Sequence, residues 1–144
     1  MTNETHFHKL ENMYHGAPCN AYYEPQMSIR EGEAELLIPI KPKLFHAARA
    51  AHGSVYFKAM DDSAFFAVSS LVEDVFVLTS TFNIYLTRPI DSGKMRAVGK
   101  VVSQTRTQFI AESVVYNDEN KEIARGSGIF VKSKFPLSED LGYR

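Results

Sequence analysis

Two adjacent carboxylates, Asp61 and Asp62, stand within an apolar segment that has the composition of a buried helix. Buried carboxylates are rare unless another group pairs with them or uses them. His52-Gly53-Ser54 comes just before, at the expected helix start, where unpaired backbone N–H groups favour negative charge. An anion-binding turn followed by a carboxylate in apolar surroundings indicates a hydrolytic site. The apolar residues around the pair are Val55, Phe57, Ala59, Met60, Ala64, Phe65, Phe66, Ala67, Val68, Leu71 and Val72.

The two carboxylates have different neighbours along the predicted helix. Lys58 lies four residues before Asp62, a spacing at which helical side chains meet, so the two are expected to pair. Asp61 has apolar residues at such spacings, among them Phe57 and Phe65. We predict an unpaired, desolvated carboxylate at Asp61, with the raised pKa that suits a general base. The alternative is that both carboxylates only cap or pair within the fold.

Helix geometry restricts how Gly53 and Asp61 can act together. They are eight residues apart, which is about 12 Å along a helix axis. A general base must lie within about 3 Å of the water that it activates. One chain is therefore not expected to bring both groups to the same carbonyl. A site that uses both would combine Gly53 of one subunit with Asp61 of another, in a dimer at least.

The pattern of apolar residues predicts an α+β fold, in which an antiparallel sheet wraps one long central helix. Exposed sheet edges are often covered by another subunit, and Phe82, Ile84 and Tyr85 lie on a strand suited to such pairing. The predicted units are an N-terminal segment (1–26, with a short helix at 5–16), one folded domain (27–132) and a C-terminal tail (133–144). Within the domain we predict a strand from Met27 to Ile40, a connection at 43–51, a helix at 54–71 capped by Ser54, and strands at 76–86, 95–105, 108–116 and 122–132.

Bulk composition excludes several classes of function. A length of 144 residues predicts a single domain, and a net charge of −1 offers no general attraction to nucleic acid or an anionic membrane. Cys19 is the only cysteine, which favours a reducing compartment. Met1–Leu10 lacks the apolar core of a signal peptide, and no segment is long and apolar enough to span a bilayer. We therefore expect a cytoplasmic protein with neither a nucleic-acid nor a membrane partner.

The order of elements and several residue positions resemble the hotdog-fold acyl-CoA thioesterases, in particular the phenylacetyl-CoA thioesterase-like branch. The resemblance covers residues 31–132. It rests on His52-Gly53, on Asp61 nine residues after the histidine, on Thr79 in the next strand, and on the strand end Asn83–Pro89. It implies an acyl-CoA substrate, no cofactor or metal, and a homo-oligomer that is a dimer or a dimer of dimers, with sites at a dimer interface.

Hydrolysis at such a site gives each residue a hypothetical role. The N–H of Gly53 would stabilise the thioester oxygen as charge develops. Asp61 of the partner would activate water or attack directly as a nucleophile. Thr79 would position the water, while His52 and His46 would shape the turn or donate to the thioester. The candidate substrate-binding residues are Ser54, Asp62 and Arg88. We expect four aromatic residues to belong mainly to the core, with one or two of them lining an acyl pocket: Phe57, Phe65, Phe66 and Phe82.

Two positions depart from the family pattern and support an alternative function. Ser54 stands where the family has a second glycine, and His46 stands where it has asparagine. The hydrogen bond from a histidine at that position would depend on pH. These departures favour a non-catalytic hotdog domain that binds acyl-CoA or a protein partner. A dehydratase of related fold is less favoured, because no second histidine accompanies an acid on the helix.

Two further groups of residues are expected to be structural. His6 and His8 lie in the N-terminal segment, and we interpret them as solvated side chains rather than metal ligands. Gly126-Ser127-Gly128 falls in a predicted strand with no helix after it. That context indicates close backbone packing rather than a phosphate-binding loop.

Overall fold

The computed structural model describes residues 3–144. Met1 and Thr2, which belong to the predicted N-terminal segment, lie outside the described residues. Short 3₁₀ turns occur at Ala21–Tyr23, Pro42–Leu44 and Glu139–Leu141. The helices and strands in chain order are α1 (Asn3–Gly16), β1 (Gln26–Arg30), β2 (Glu33–Pro39), α2 (Gly53–Ser69), β3 (Val75–Leu86), β4 (Lys94–Gln104), β5 (Gln108–Tyr116) and β6 (Glu122–Pro136).

The strands form one antiparallel sheet in the order β1-β2-β4-β5-β6-β3. Side chains alternate between buried and more exposed along β2 and β5, so one face of the sheet is apolar. Helix α2 packs on that face and contacts strands β1 to β6. The predicted α+β fold, with a long helix wrapped by an antiparallel sheet, is confirmed.

Small residues allow α2 to approach the sheet closely. A Cβ atom at Gly99 of β4 would lie 2.3 Å from the backbone carbonyl carbon of Ser63, too close for any other residue. The buried hydroxyl of Ser63 also meets the hydroxyl of Ser113 on β5 at 2.8 Å. Gly126 and Gly128 likewise allow β6 to contact β3 closely, as predicted.

Three predicted boundaries are wrong. The single strand predicted from Met27 to Ile40 is a hairpin of β1 and β2, because Gly32 adopts a positive φ of 71° that reverses the chain. Strand β6 continues to Pro136, past the predicted end at residue 132, since it keeps pairing with β3 as far as Val75. The cap of α2 is His52 rather than Ser54: the His52 side chain accepts from the Ser54 N–H.

The N-terminal helix is confirmed, but its role differs from the prediction for His6. His6 is buried, not solvated. One ring nitrogen contacts the hydroxyl of Tyr143 at 2.7 Å, and the other contacts the carbonyl oxygen of Ser69 at 2.9 Å. This histidine therefore joins α1, the C-terminal tail and the end of α2.

Strand β3 forms one edge of the sheet. It spans 12 residues, and within the described part of the chain it pairs only with β6. Tyr85 is 69% exposed on this edge. Across residues 3–144, none of the helices has both the length and the apolar character needed to cross a membrane.

Candidate functional site

Asp61 lies on α2 and lines a cavity of about 220 Å³. The Thr79 hydroxyl, on β3, donates a hydrogen bond of 2.8 Å to Oδ1 of Asp61. Burial raises the pKa of Asp61 to about 6, and it outweighs the lowering effect of the Thr79 bond. The expected raised pKa is therefore found, with desolvation as its main cause. The cavity is lined by Met13, Tyr14, Ala17, Cys19, Asn20, Lys58, Asp61, Asp62, Phe65, Phe66, Phe76 and Thr79.

Asp62 points to the same cavity but is held by other groups. The Lys58 ammonium lies 3.0 Å from its Oδ2, which confirms the predicted pair. The hydroxyl of Tyr14, on α1, donates to the same oxygen at 2.7 Å. Burial raises the pKa of Asp62 more than these two partners lower it.

Lys58 also lies three residues before Asp61, a spacing that the sequence-based interpretation did not count. Its ammonium donates to Oδ1 of Asn20 at 2.7 Å, in addition to pairing with Asp62. The positive charge still lowers the pKa of Asp61, although burial has the larger effect. The charge of Lys58 therefore acts on Asp61, although Lys58 forms its ion pair with Asp62.

The start of α2 is organised by two side chains. His52 accepts the Ser54 N–H at Nδ1 over 3.0 Å, and the Ser54 hydroxyl lies 2.9 Å from the same nitrogen. The N–H of Gly53, the first helical residue, has no acceptor among residues 3–144. An orphan amide at the positive end of a helix is suited to an anionic ligand.

Gly53 lines a second cavity, of about 260 Å³. His46 lies beside it and accepts the backbone N–H of Ala48 at Nδ1, 3.0 Å away, so it shapes the turn before α2. The hydroxyl of Tyr56 donates to the carbonyl oxygen of Arg88 at 2.8 Å and ties the chain after β3 to the helix. The lining residues are His46, Ala51, Gly53, Tyr56, Leu86, Thr87, Arg88 and Pro89.

The acid and the amide thus lie in separate cavities of one chain. Asp61 and Gly53 share the unbroken helix α2, about 12 Å apart along its axis. No residue lines both cavities. This separation agrees with the expectation from helix geometry that one chain does not bring Gly53 and Asp61 to the same carbonyl.

Two of the four candidate aromatic residues border the acid, within the expected one or two. Phe65 and Phe66 line the Asp61 cavity. Phe57 and Phe82 contact each other instead, with ring centroids 5.9 Å apart, and line neither described cavity. Phe76, on β3, also lines the Asp61 cavity and packs on Phe65 with ring centroids 5.3 Å apart.

Sequence reasoning missed the wall that α1 and its following loop provide. Tyr14 lies in the short helix predicted at 5–16 but had no predicted partner, and Asn20 belongs to no recognisable pattern. In the structure the amide of Asn20 donates to the Tyr14 carbonyl oxygen at 2.7 Å while its oxygen accepts from Lys58. The exposed thiol of Cys19 also borders the cavity. Contacts that cross 38 to 48 residues leave no local pattern.

A metal site is not indicated within residues 3–144, where no three histidine, cysteine or acidic side chains converge on one point. His6 and His8 do not act as a pair, because both ring nitrogens of His6 are hydrogen-bonded within the core and His8 is exposed.

Comparison with known proteins places this arrangement in a family. Residues 49–124, which include α2 and strands β3 to β5, match the model of the thioesterase superfamily. A candidate esterase of Thermoplasma volcanium is 25% identical over 108 residues, covering 75% of this chain and 80% of that protein. A second candidate esterase, from Sulfurisphaera tokodaii, is 28% identical over 103 residues, covering 71% and 76%.

Solved structures show the same fold at lower sequence identity. The PaaI protein from the phenylacetic acid degradation operon of Escherichia coli superposes with a TM-score of 0.86 at 17% identity, over 96% of this chain and all of that one. A thioesterase of Haemophilus influenzae superposes with a TM-score of 0.77 at 19% identity, over 83% and 85%. The expected hotdog fold is confirmed.

Proposed function

The chain belongs to the thioesterase superfamily, a hydrolase family of thioester and ester bonds, and we propose that it hydrolyses acyl-CoA-type thioesters at a site shared by two subunits. In this proposal Asp61 of one subunit activates water, and the N–H of Gly53 of the other subunit stabilises the oxyanion. The superfamily match and the two esterase relatives support the reaction class. The geometry of the two cavities supports the roles of the residues and the shared site.

The observation that carries the proposal is the buried Asp61 carboxyl, with its raised pKa and its hydrogen bond from Thr79. A carboxylate whose pKa is raised to about 6 is deprotonated at neutral pH and yet more basic than an ordinary one. Its Thr79 hydrogen bond fixes one oxygen and leaves the other oxygen for a water. The apolar wall of the cavity, formed by Phe65, Phe66 and Phe76, would exclude other water and contact an acyl group.

The edge strand β3 offers a way to bring the acid and the amide together. Thr79, in the first half of β3, contacts Asp61, and Leu86, its last residue, lines the Gly53 cavity. If two β3 edges pair antiparallel about a twofold axis, the acid end of one subunit meets the amide end of its partner. A long exposed edge strand also needs cover of this kind.

The Gly53 cavity has features that suit the CoA part of the substrate. Arg88 and His46 border it, next to the orphan amide of Gly53. A guanidinium group binds phosphate by paired hydrogen bonds. We therefore place the thioester oxygen at Gly53 and a phosphate of CoA near Arg88.

The direct test is hydrolysis by the Asp61→Asn variant. Removing a general base typically lowers the rate by about 10² to 10⁴, so kcat should fall by at least about a hundredfold. CoA release is followed with a thiol reagent, with substrate in large excess because the exposed Cys19 adds a stoichiometric background. The matched control is Glu119→Gln, an exposed carboxylate in the turn between β5 and β6, which should keep the wild-type rate.

The same assay separates hydrolysis from the binding function that Ser54 and His46 favour. Hydrolysis is measured for acyl-CoA substrates of several chain lengths and, in parallel, for p-nitrophenyl esters. Binding of acyl-CoA without CoA release by the wild type would contradict the proposal and support the non-catalytic alternative. An unchanged rate in Asp61→Asn would remove Asp61 from the mechanism.

A further inference from the structure

Lys58 lies within reach of two carboxylates and is bound to only one of them. It precedes Asp61 by three residues and Asp62 by four, and both spacings bring helical side chains together. In the structure the ammonium contacts Asp62 at 3.0 Å and Asn20 at 2.7 Å. Tyr14 donates to the same Asp62 oxygen. The loop after α1 and the helix itself thus hold the cation on the Asp62 side.

We propose that Asp62 is a positioning residue, which keeps Asp61 free to act as a base by holding the Lys58 ammonium away from it. This inference rests on the proposed function of Asp61. Asp62 itself has both Lys58 and Tyr14 as partners, so it does not need to touch the substrate. It thereby takes a different role from the substrate contact predicted from the sequence.

The charges around Asp61 agree with this assignment. The groups that face it and can carry charge or titrate are Asp62 and Lys58 on α2, Tyr14 on α1, and Cys19 in the following loop. Strand β3 contributes Thr79, which does not titrate. Burial and Asp62 both raise the pKa of the Tyr14 phenol, so it stays neutral. Asp62 and Lys58 act on Asp61 with opposite signs, and as an ion pair they largely cancel.

Replacing Asp62 with asparagine removes the carboxylate that binds Lys58 and leaves Asn20 as a neutral partner of the ammonium. Asp61 then loses a neighbouring negative charge and becomes the only carboxylate at helical spacing from Lys58, and both changes lower its pKa. An opposite charge at about 4 to 6 Å lowers a carboxyl pKa by about 1 to 3 units. We expect the acid limb of the kcat/KM profile, near pH 6 in the wild type, to move down by about one unit or more in Asp62→Asn.

The double variant Lys58→Met with Asp62→Asn distinguishes this effect from simple damage to the fold. It replaces an ion pair with a neutral pair, so Asp61 again has no free cation beside it. The acid limb should return to within about half a unit of the wild type. A purely structural role for Asp62 would not be reversed by removing a second side chain.

Two measurements are made on each variant, with Glu119→Gln as the control for the loss of one carboxylate. One is the pH profile of kcat/KM, and the other is a carbon-13 NMR titration of the Asp61 carboxyl, which does not require turnover. If Asp62→Asn does not fold, Asp62→Ser removes the same charge. An unshifted Asp61 titration in the single variant, or a double variant that titrates like the single one, would overturn the inference. Failure of the proposed function would show separately, as full activity of Asp61→Asn.

Discussion

The Asp61 carboxylate illustrates how a buried charge opposes the stability of the fold. Its pKa in the folded chain is about 6, above the ordinary value of 3.8, because burial disfavours the charged form. The folded state therefore binds this proton more tightly than the unfolded state. The resulting penalty is absent below about pH 4, where both states are protonated, and it is complete above about pH 6.

The sign of this linkage predicts a stabilising variant. Asp61→Asn removes the buried charge and leaves an oxygen for the Thr79 hydroxyl, so it should raise the free energy of unfolding at pH 7.5 by about 1 to 3 kcal/mol. At pH 4 the gain should nearly vanish, since asparagine then resembles the protonated acid. Urea unfolding at both pH values measures the difference. An equal gain at both values would show that the carboxylate charge is not its cause.

At the same scale, the sequence predicts contacts within one helix better than contacts between elements. The Lys58–Asp62 pair was predicted from local spacing and is confirmed. The choice of Asp61 over Asp62 as the functional acid stays a prediction. Tyr14 and Asn20 were not predicted as partners of that pair, because α1 reaches them only through tertiary packing. Serine is a common helix cap, which favoured Ser54, but the ring nitrogen of His52 takes that position.

Helix α2 carries both proposed reactive groups, Gly53 and Asp61, so the packing of α2 on the sheet fixes the positions of both. This packing depends on Gly99, where a Cβ atom would lie 2.3 Å from the Ser63 backbone. Because backbone atoms on both sides cannot easily move apart, Gly99→Ala should destabilise the chain by about 1 to 3 kcal/mol and lower the activity as well. Thermal unfolding and the CoA-release assay measure the two effects.

A matched glycine provides the control for that variant. At Gly16, the last residue of α1, a Cβ atom would meet nothing within 4 Å, and the backbone has no positive φ. Gly16→Ala should therefore change the free energy of unfolding by less than about 0.5 kcal/mol. If the two alanine variants were equally stable, the close contact between α2 and β4 would not be rigid.

Helices and strands with a clear periodicity of apolar residues were predicted from the sequence. The hairpin defined by a turn was not. The long apolar helix and the four strands that follow it agree with the structure to within a few residues. The β1–β2 hairpin was missed, although the apolar residues change from odd positions (Met27, Ile29) to even positions (Ala34, Leu36, Ile38) across the turn. The positive φ of Gly32 marks the reversal. The extension of β6 depends on its partner β3, which local sequence does not specify.

For the whole molecule, the exposed edge of β3 and the two separate cavities lead to the same conclusion. In one chain the proposed base, Asp61, and the proposed oxyanion donor, the Gly53 N–H, line different cavities. A second copy paired along β3 would complete two sites at once, because a twofold axis makes the two contacts equivalent. The central claim is therefore that each site takes Asp61 and Gly53 from different subunits.

A heterodimer of two inactive variants tests this claim most directly. Asp61→Asn removes the base, and Gly53→Pro removes the amide N–H at the first helical position, where proline is well tolerated. His52 before it has φ −61° and ψ 147°, which a following proline accepts. The two variants are co-expressed with different tags, and the heterodimer is purified through both tags.

In that heterodimer a shared site predicts one intact centre and one centre with both defects. Its CoA-release activity should be about half that of the wild-type dimer, while each parent homodimer has almost none. A heterodimer no more active than its parents, or a Gly53→Pro homodimer with full activity, would contradict the shared site.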